Sequence, residues 1–494
     1  MTTNYFDWEV WQTTDALGLA ATIREESIPL RSITAQLAEA VNLQNPKLNA
    51  VVELFDDVIE APERSGANPN GPFYGVPILI KDMGSRIAGR NQQIGLAFKN
   101  SMPAEIDDPL IENFRAAGFI VAGRTAVPES GMTFITHSIP QGDTLNPFNL
   151  EHTPGGSSGG SSAAVSGGIA PICSASDGAG SIRFPAAWTG LVGLKVTRGL
   201  NPLPRGLNES IMPGAAEGAV VRSVRDCAAV TQALAVHPYL GGSFMPPLPT
   251  PDLRTQEAQT ARRFRIGYSI DSWGTAAEVD SEVVRATKAM AARLADLGHQ
   301  MVPLAPEDIC DFTALRDTFA VAEWLLPISR ELMYERDLAN AELDDHNSSS
   351  QLRNHIELAD RYDIDDLFVA KLGTEALMRR WGAFWQQGPC DLLLSPVTPI
   401  KCPRVDSNYR MDSDQPFDDW FAGLFDGACF TITANHMGLP ALSLPAGLDG
   451  NNCPIGVQFM APWHQEKDLL HLGFQIERAH PELFRMKPEH RIRF

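Results

Sequence analysis

Short apolar runs alternate with longer amphipathic ones along most of this chain, and that alternation limits the folds open to it. The stretch DPLIENFRAAGFIVAGRT (108–125) shows the unit. Pro109 suits a first helical turn after Asp108, Gly118 stops the helix, and residues 119–122 read as a short strand. FYGVPILIKD (73–82) is a buried-strand candidate, bounded by Gly75 and by Lys81 and Asp82. GIAPICSAS (168–176) and GLVGLKVTRG (190–199) are strand-like as well. The second half repeats the pattern. RFRIGYSI (263–270) and HQMVPL (299–304) flank an amphipathic helix that Asp280 opens and Gly298 closes. DLLLSPVTP (391–399), LPALSLPAG (439–447) and PIGVQFMAP (454–462) are further strands, followed by a closing helix over 464–479. Strands alternating with helices imply an α/β fold built on a mostly buried sheet.

Three segments stand outside that rhythm. The first 60 residues read as helices, with Ser32 as a cap and Ile33, Leu37 and Val41 on one face. Residues 310–388 are helical and strongly charged, and are expected to form a layer or lid rather than part of the sheet. The Pro-rich stretch 241–263 is either a domain boundary or a loop joining two halves of one sheet. The loop is favoured, because the same α/β pattern continues beyond it.

Charge and cysteine usage exclude several functions. Lys and Arg number 40 against 60 Asp and Glu, a net charge of −20. Such a chain lacks the basic surface that nucleic acid or anionic lipid requires. No run approaches the roughly 20 apolar residues of a membrane helix, and the start MTTNYFDWEV lacks the basic-then-apolar pattern of a signal peptide. The seven cysteines are scattered without a CxxC pair, which predicts neither a disulfide framework nor a zinc site. A cytoplasmic protein acting on small molecules is expected, with a homodimer as one admissible assembly.

Chemistry concentrates around TPGGSSGGSSAAVSGG (153–168). A flexible linker would stay polar, whereas this run continues into apolar, helix-permissive sequence. A phosphate loop would need a following lysine, and none is present. Residues 155–159 formally match GxSxG, the elbow of α/β-hydrolases with Ser157 as nucleophile. That elbow must follow a strand and needs a histidine such as His436, His464 or His480, yet the preceding NPFNLEHTPGG is turn-like. A second serine cluster, SDGAGSIRFPAAW (176–188), places Ser181 after small residues whose N–H groups can turn toward one point, as an oxyanion hole requires.

Taken in order, GVPILIKD, GRTAVPE, LNPFN, GGSSGGS, DGAGSIRFPAA, GLVGLKVTRG, ANHMGLPALSLPAG and PIGVQF resemble the amidase signature family over roughly residues 30–480. DGAGSIRFPA and GAAEGAVVRSVRD look most like the branch that cleaves 6-aminohexanoate cyclic dimers, other nylon oligomers and urethane-like amides. The resemblance implies one domain over 1–494: a large mixed, mostly parallel sheet with helices on both faces and a signature core over about 70–235. It also implies a Ser–cis-Ser–Lys triad. Lys81 is then the base, Ser157 the bridging serine after a cis peptide, and Ser181 the nucleophile. Gly178, Ala179 and Gly180 supply oxyanion donors with Ser181 itself, and Ser158 supports the network. Substrate contacts are expected from 129–133, with Ser130 and Gly131 foremost, from 200–214 and from the helices after Cys310.

The physical chemistry agrees with these roles. A serine hydroxyl needs an adjacent base, and lysine serves only when neutral. Its pKa must therefore fall from about 10.4, which the apolar run 76–80 achieves by desolvation. Two departures from the family pattern stand out: Ala179 replaces a usual glycine, and Ser176 replaces a usual threonine. Asp177 and Arg183 are read as a structural pair. The activity implied is amide hydrolysis through an acyl-enzyme, without cofactor or metal, with esters and carbamates as further substrates. The alternative is the glutaminase component of a tRNA-dependent amidotransferase.

Overall fold

The computed structural model describes residues 6–96, 102–205, 213–236, 252–253, 262–338 and 343–490. Its strands are β1 (Val51–Leu54), β2 (Pro77–Lys81), β3 (Ile120–Thr125), β4 (His137–Ser138), β5 (Gly142–Asp143), β6 (Ile172–Asp177), β7 (Val192–Lys195), β8 (Ala216–Val221), β9 (Arg265–Tyr268), β10 (Gln300–Pro303), β11 (Leu392–Pro396), β12 (Ala441–Leu448) and β13 (Pro454–Met460). Eleven of them form one sheet in the order β1-β3-β2-β6-β8-β7-β12-β13-β11-β9-β10, and β4 pairs with β5 separately. Both halves of the chain thus contribute to a single sheet. Most of the 241–263 stretch lies outside the described residues.

The sheet is mixed, as the resemblance implies, and its directions are divided by position. Parallel ladders join β3, β2 and β6 in one wing and β11, β9 and β10 in the other. These wings contain the helical crossovers that the alternating sequence announces. Between the wings, the ladders from β6 through β8, β7, β12 and β13 to β11 are antiparallel.

Alternate side chains feed two cores. On β11, Leu392 and Leu394 face one and Leu393 the other; on β13, Val457 and Phe459 oppose Met460. The first core takes Ile33 and Leu37 of helix Leu30–Leu48, Met290 of Ser281–Asp296 and Leu470 of Glu466–Ala479. The second takes Trp188 of helix Arg183–Thr189, together with Phe319 and Trp381 from the 310–388 region. Helices therefore cover both faces. The described residues of that region add no strand to the sheet; its helices pack over the face that carries the second core.

Two readings of the first 60 residues need correction. Helix Leu30–Leu48 begins after Pro29, so Ser32 lies inside it rather than capping it. The segment is also not wholly helical. Asn49 adopts φ 48 and ends the helix, while Asn45 Oδ1 accepts the N–H groups of Ala50 and Val51. The chain is thereby turned into β1, an edge strand antiparallel to β3. All seven cysteines are buried and unbridged. Among the described residues no helix is long and apolar enough to cross a membrane.

Candidate active site

Strand β2 is buried along its whole length and delivers Lys81 from its last position. The Lys81 N–H donates to Ser174 Oγ on β6 at 2.8 Å, which locks the lysine backbone to its neighbour. Its Nζ lies 2.7 Å from Ser157 Oγ, 2.8 Å from Ser176 Oγ and 3.3 Å from the Ser176 carbonyl. Burial lowers the Lys81 pKa to about 8, against the opposing pull of the Glu217 and Asp177 carboxylates.

Ser157 reaches that position because the Gly/Ser run is packed tightly, not slack. The Gly156–Ser157 peptide is cis. Gly155 has φ +91, and a Cβ there would stand 2.7 Å from Pro185 Cα. A Cβ on Gly156 would stand 2.7 Å from the Thr133 carbonyl oxygen. Helix Gly159–Ser166 follows at once. Ser158 Oγ donates to the Ser176 carbonyl and accepts the Ser176 N–H, at 3.2 and 3.3 Å. It braces the residue that holds Lys81.

Ser181 sits at the junction of two lobes of one cleft. An apolar lobe is lined by Phe134, Phe184, Phe319, Trp324, Phe425 and Ile432. A polar lobe is lined by Ser130, Gly131, Ser157, Ser176, Glu217 and Trp324 among others. Ser181 and Gly131 border both. Ser130 has φ 48 and Gly131 φ +66, so the 129–131 turn is bent around the cleft. Among the described residues Ser181 Oγ makes no hydrogen bond, and the hydrogen-bonded link from Lys81 ends at Ser157. Such links commonly tighten only when substrate is bound.

The oxyanion loop departs from expectation at one position. The Gly180 N–H donates to Asp177 Oδ1 at 2.7 Å and the Ile182 N–H to Asp177 Oδ2 at 3.2 Å. Gly180 is therefore not a free donor here, because the carboxylate beneath the loop already engages it. The Ala179 and Ser181 N–H groups have no such partner among the described residues, and Thr431 Oγ1 donates to the Ala179 carbonyl at 2.6 Å. Asp177 and Arg183 form the expected pair, fully buried, with Nε–Oδ2 2.9 Å and Nη2–Oδ1 3.0 Å. Burial alone would raise the Asp177 pKa, but Arg183 and Asn435 hold it down to about 2.

Sequence reasoning missed four participants. Ser176, visible in the sequence only as a departure from the family pattern, is a second partner of Lys81. Glu217 lines the polar lobe. Asn435 ties Asp177 to the Gly214 carbonyl, and Gln458 binds Arg183. Motifs contain these residues, yet nothing in a linear string shows which of them turn toward the relay. The histidine-triad reading finds no support: among the described residues neither lobe is lined by a histidine, and His436 bonds Glu323 and Thr318.

The cleft thus gathers a buried lysine, two serines and a loop of backbone N–H groups. The Amidase family model matches residues 32–470, and the chain belongs to that family. It is 31% identical to a 6-aminohexanoate-cyclic-dimer hydrolase of Paenarthrobacter ureafaciens, with 96% of each chain covered. A solved structure of 6-aminohexanoate cyclic dimer hydrolase superposes with a TM-score of 0.88 at 29% identity, covering 98% of this chain and 99% of the other. A solved glutamyl-tRNA(Gln) amidotransferase component from Thermotoga maritima shares the fold at 21% identity, with a TM-score of 0.78 over 98% of this chain and 99% of that one. This protein is an amide hydrolase acting on carbon–nitrogen bonds other than peptide bonds.

Proposed function

We propose that Ser181 attacks the carboxamide carbon, with Ser157 relaying its proton to neutral Lys81. The observation that carries this reading is the 2.7 Å Lys81–Ser157 contact in the wall of the cleft that Ser181 borders. The hydroxyl proton of Ser181 passes to Ser157 Oγ as the Ser157 proton passes to Lys81 Nζ. The developing oxyanion accepts hydrogen bonds from Ala179 and Ser181, with Gly178 alongside. Gly180 joins them only by releasing Asp177, so the hole is narrower than four donors. The proton then returns through Ser157 to the leaving amine. Water repeats the cycle on the acyl-enzyme, and no metal or cofactor is needed.

The substrate class proposed is small linear or cyclic amides of ω-amino acids, the chemistry named in the relatives, with esters and carbamates as slower alternatives. The apolar lobe suits a methylene chain or an aryl group. Ser130 and Gly131 would contact it from the turn between the lobes. A cytoplasmic enzyme acting without nucleic acid, with a homodimer as one admissible assembly, completes the reading; the net charge of −20 supports the absence of nucleic acid. Fluorophosphonate labelling followed by peptide mapping tests the assignment. An adduct on Ser181 is expected, and one on Ser157 would overturn it.

A further inference from the structure

We propose that Glu217 is a positioning residue for the Lys81 base, its carboxylate stabilising the lysine ammonium from the polar lobe that Glu217 borders. The proposal rests on the reading of Lys81 as base.

Geometry brings the two together through one strand. Ser176 on β6 is in direct register with Glu217 on β8. Residues opposed in an antiparallel ladder project from the same face, with Cβ atoms about 4.5–5.5 Å apart. Ser176 Oγ is 2.8 Å from Lys81 Nζ, so Lys81, Ser176 and Glu217 form a row across β2, β6 and β8. Glu217 borders the same lobe as Ser157, Ser176 and Ser181. Asn201 Nδ2 donates to the Glu217 carbonyl at 2.8 Å and fixes its backbone. The space is shaped for a carboxylate: a Cβ on Gly84, whose φ is +86, would stand 2.3 Å from Glu217 Oε1. Any other residue at 84 would push the acid away.

Among the described residues the remaining charges around Lys81 have partners of their own. Asp177 on β6 is bound by Arg183 through two contacts, which answers its charge. Arg124 on β3 donates to the Lys81 carbonyl at 3.5 Å and lies 3.7 Å from Asp82. Of the two carboxylates that oppose desolvation of Lys81, Glu217 has the larger effect and Asp177 the smaller. The relay needs both properties. Lys81 must be neutral to accept a proton, yet its ammonium must persist until the proton returns to the leaving amine. A nearby carboxylate stabilises that transient ammonium.

The test follows the rate of fluorophosphonate inactivation against pH, which needs no knowledge of the natural substrate. Removing the negative charge favours neutral lysine. The Glu217→Gln midpoint should therefore move down by about one pH unit or more, while Glu217→Asp keeps the wild-type midpoint within a few tenths. A Glu217→Gln midpoint that stays or rises overturns the proposal. If that variant does not fold by thermal melting, Glu217→Ala carries the same expectation. Wild-type labelling in Lys81→Ala would instead overturn the base assignment, so the two failures are distinguishable.

Discussion

As the proposed base, Lys81 depends on burial to move its proton loss into the working range. With its pKa lowered to about 8, Lys81 is mostly protonated below pH 7 and mostly neutral above pH 9. The rate of amide hydrolysis should rise with pH through about 8, and a profile flat from pH 6 to 9 would count against a lysine base. Ser181→Ala and Lys81→Ala should each reduce kcat by about 10⁴ or more, the scale seen when a member of a catalytic relay is removed. Ser157→Ala should retain more turnover, because a water can take its place between the other two; single-turnover assays on an acyl anilide decide this. The motifs single out all three residues as candidates, and the structure places Lys81 on Ser157 with Ser181 at the same cleft. The state of the Gly180 N–H was not legible in the sequence, because its engagement by Asp177 is a matter of loop orientation. Ser176 looked like a minor departure until the β2–β6 pairing placed its hydroxyl on Lys81.

At the scale of elements, the Gly/Ser run and the strand β6 act as a mould around the relay. Gly131 shows the tolerance: a Cβ there would meet Met83 Sδ at 2.5 Å and Ser157 Oγ at 3.1 Å, at φ +66. Gly131→Ala should thus depress kcat by displacing Ser157 while leaving the fold intact, as circular dichroism with steady-state kinetics can establish. The Asp177–Arg183 pair braces the loop that bears Ser181. Arg183→Met leaves a carboxylate buried without its partner and should cost about 3–5 kcal/mol in denaturant unfolding. The pH sign follows from the held-down carboxyl. Asp177 has a folded pKa of about 2, below the roughly 3.9 of an unfolded aspartate. Its contribution is present above about pH 4 and is lost as pH falls toward 2, which acid unfolding of the wild type and the variant should show. Most strands and helices were legible from period and caps. β1, β4, β5 and β8 escaped because Val51–Leu54, His137–Ser138 and Gly142–Asp143 are too short to declare a period and Ala216–Val221 is buried on both faces.

For the whole molecule, the decisive arrangement is one sheet with a core on each face and the helices after Cys310 closing over the second. Phe319 and Trp324 from those helices meet Phe134 and Phe184 from the signature core in the apolar lobe. Trp324 also borders the polar lobe, so it divides the cleft. Trp324→Ala should join the lobes, raising KM for short acyl anilides roughly tenfold with a much smaller change in kcat, since contacts shared by ground and transition states act on binding alone. By itself the sequence determined the α/β class and the family, and it singled out Lys81, Ser157 and Ser181 as the candidates. Those depend on local period, on turn chemistry and on short motifs that a linear string preserves. Tertiary structure alone decided the direction of each strand, the partners of Lys81, the engagement of Gly180 and the register of Glu217 opposite Ser176. Each of these depends on how the folded backbone is oriented, and only cross-strand pairing, loop packing and burial bring those charges and hydroxyls within reach.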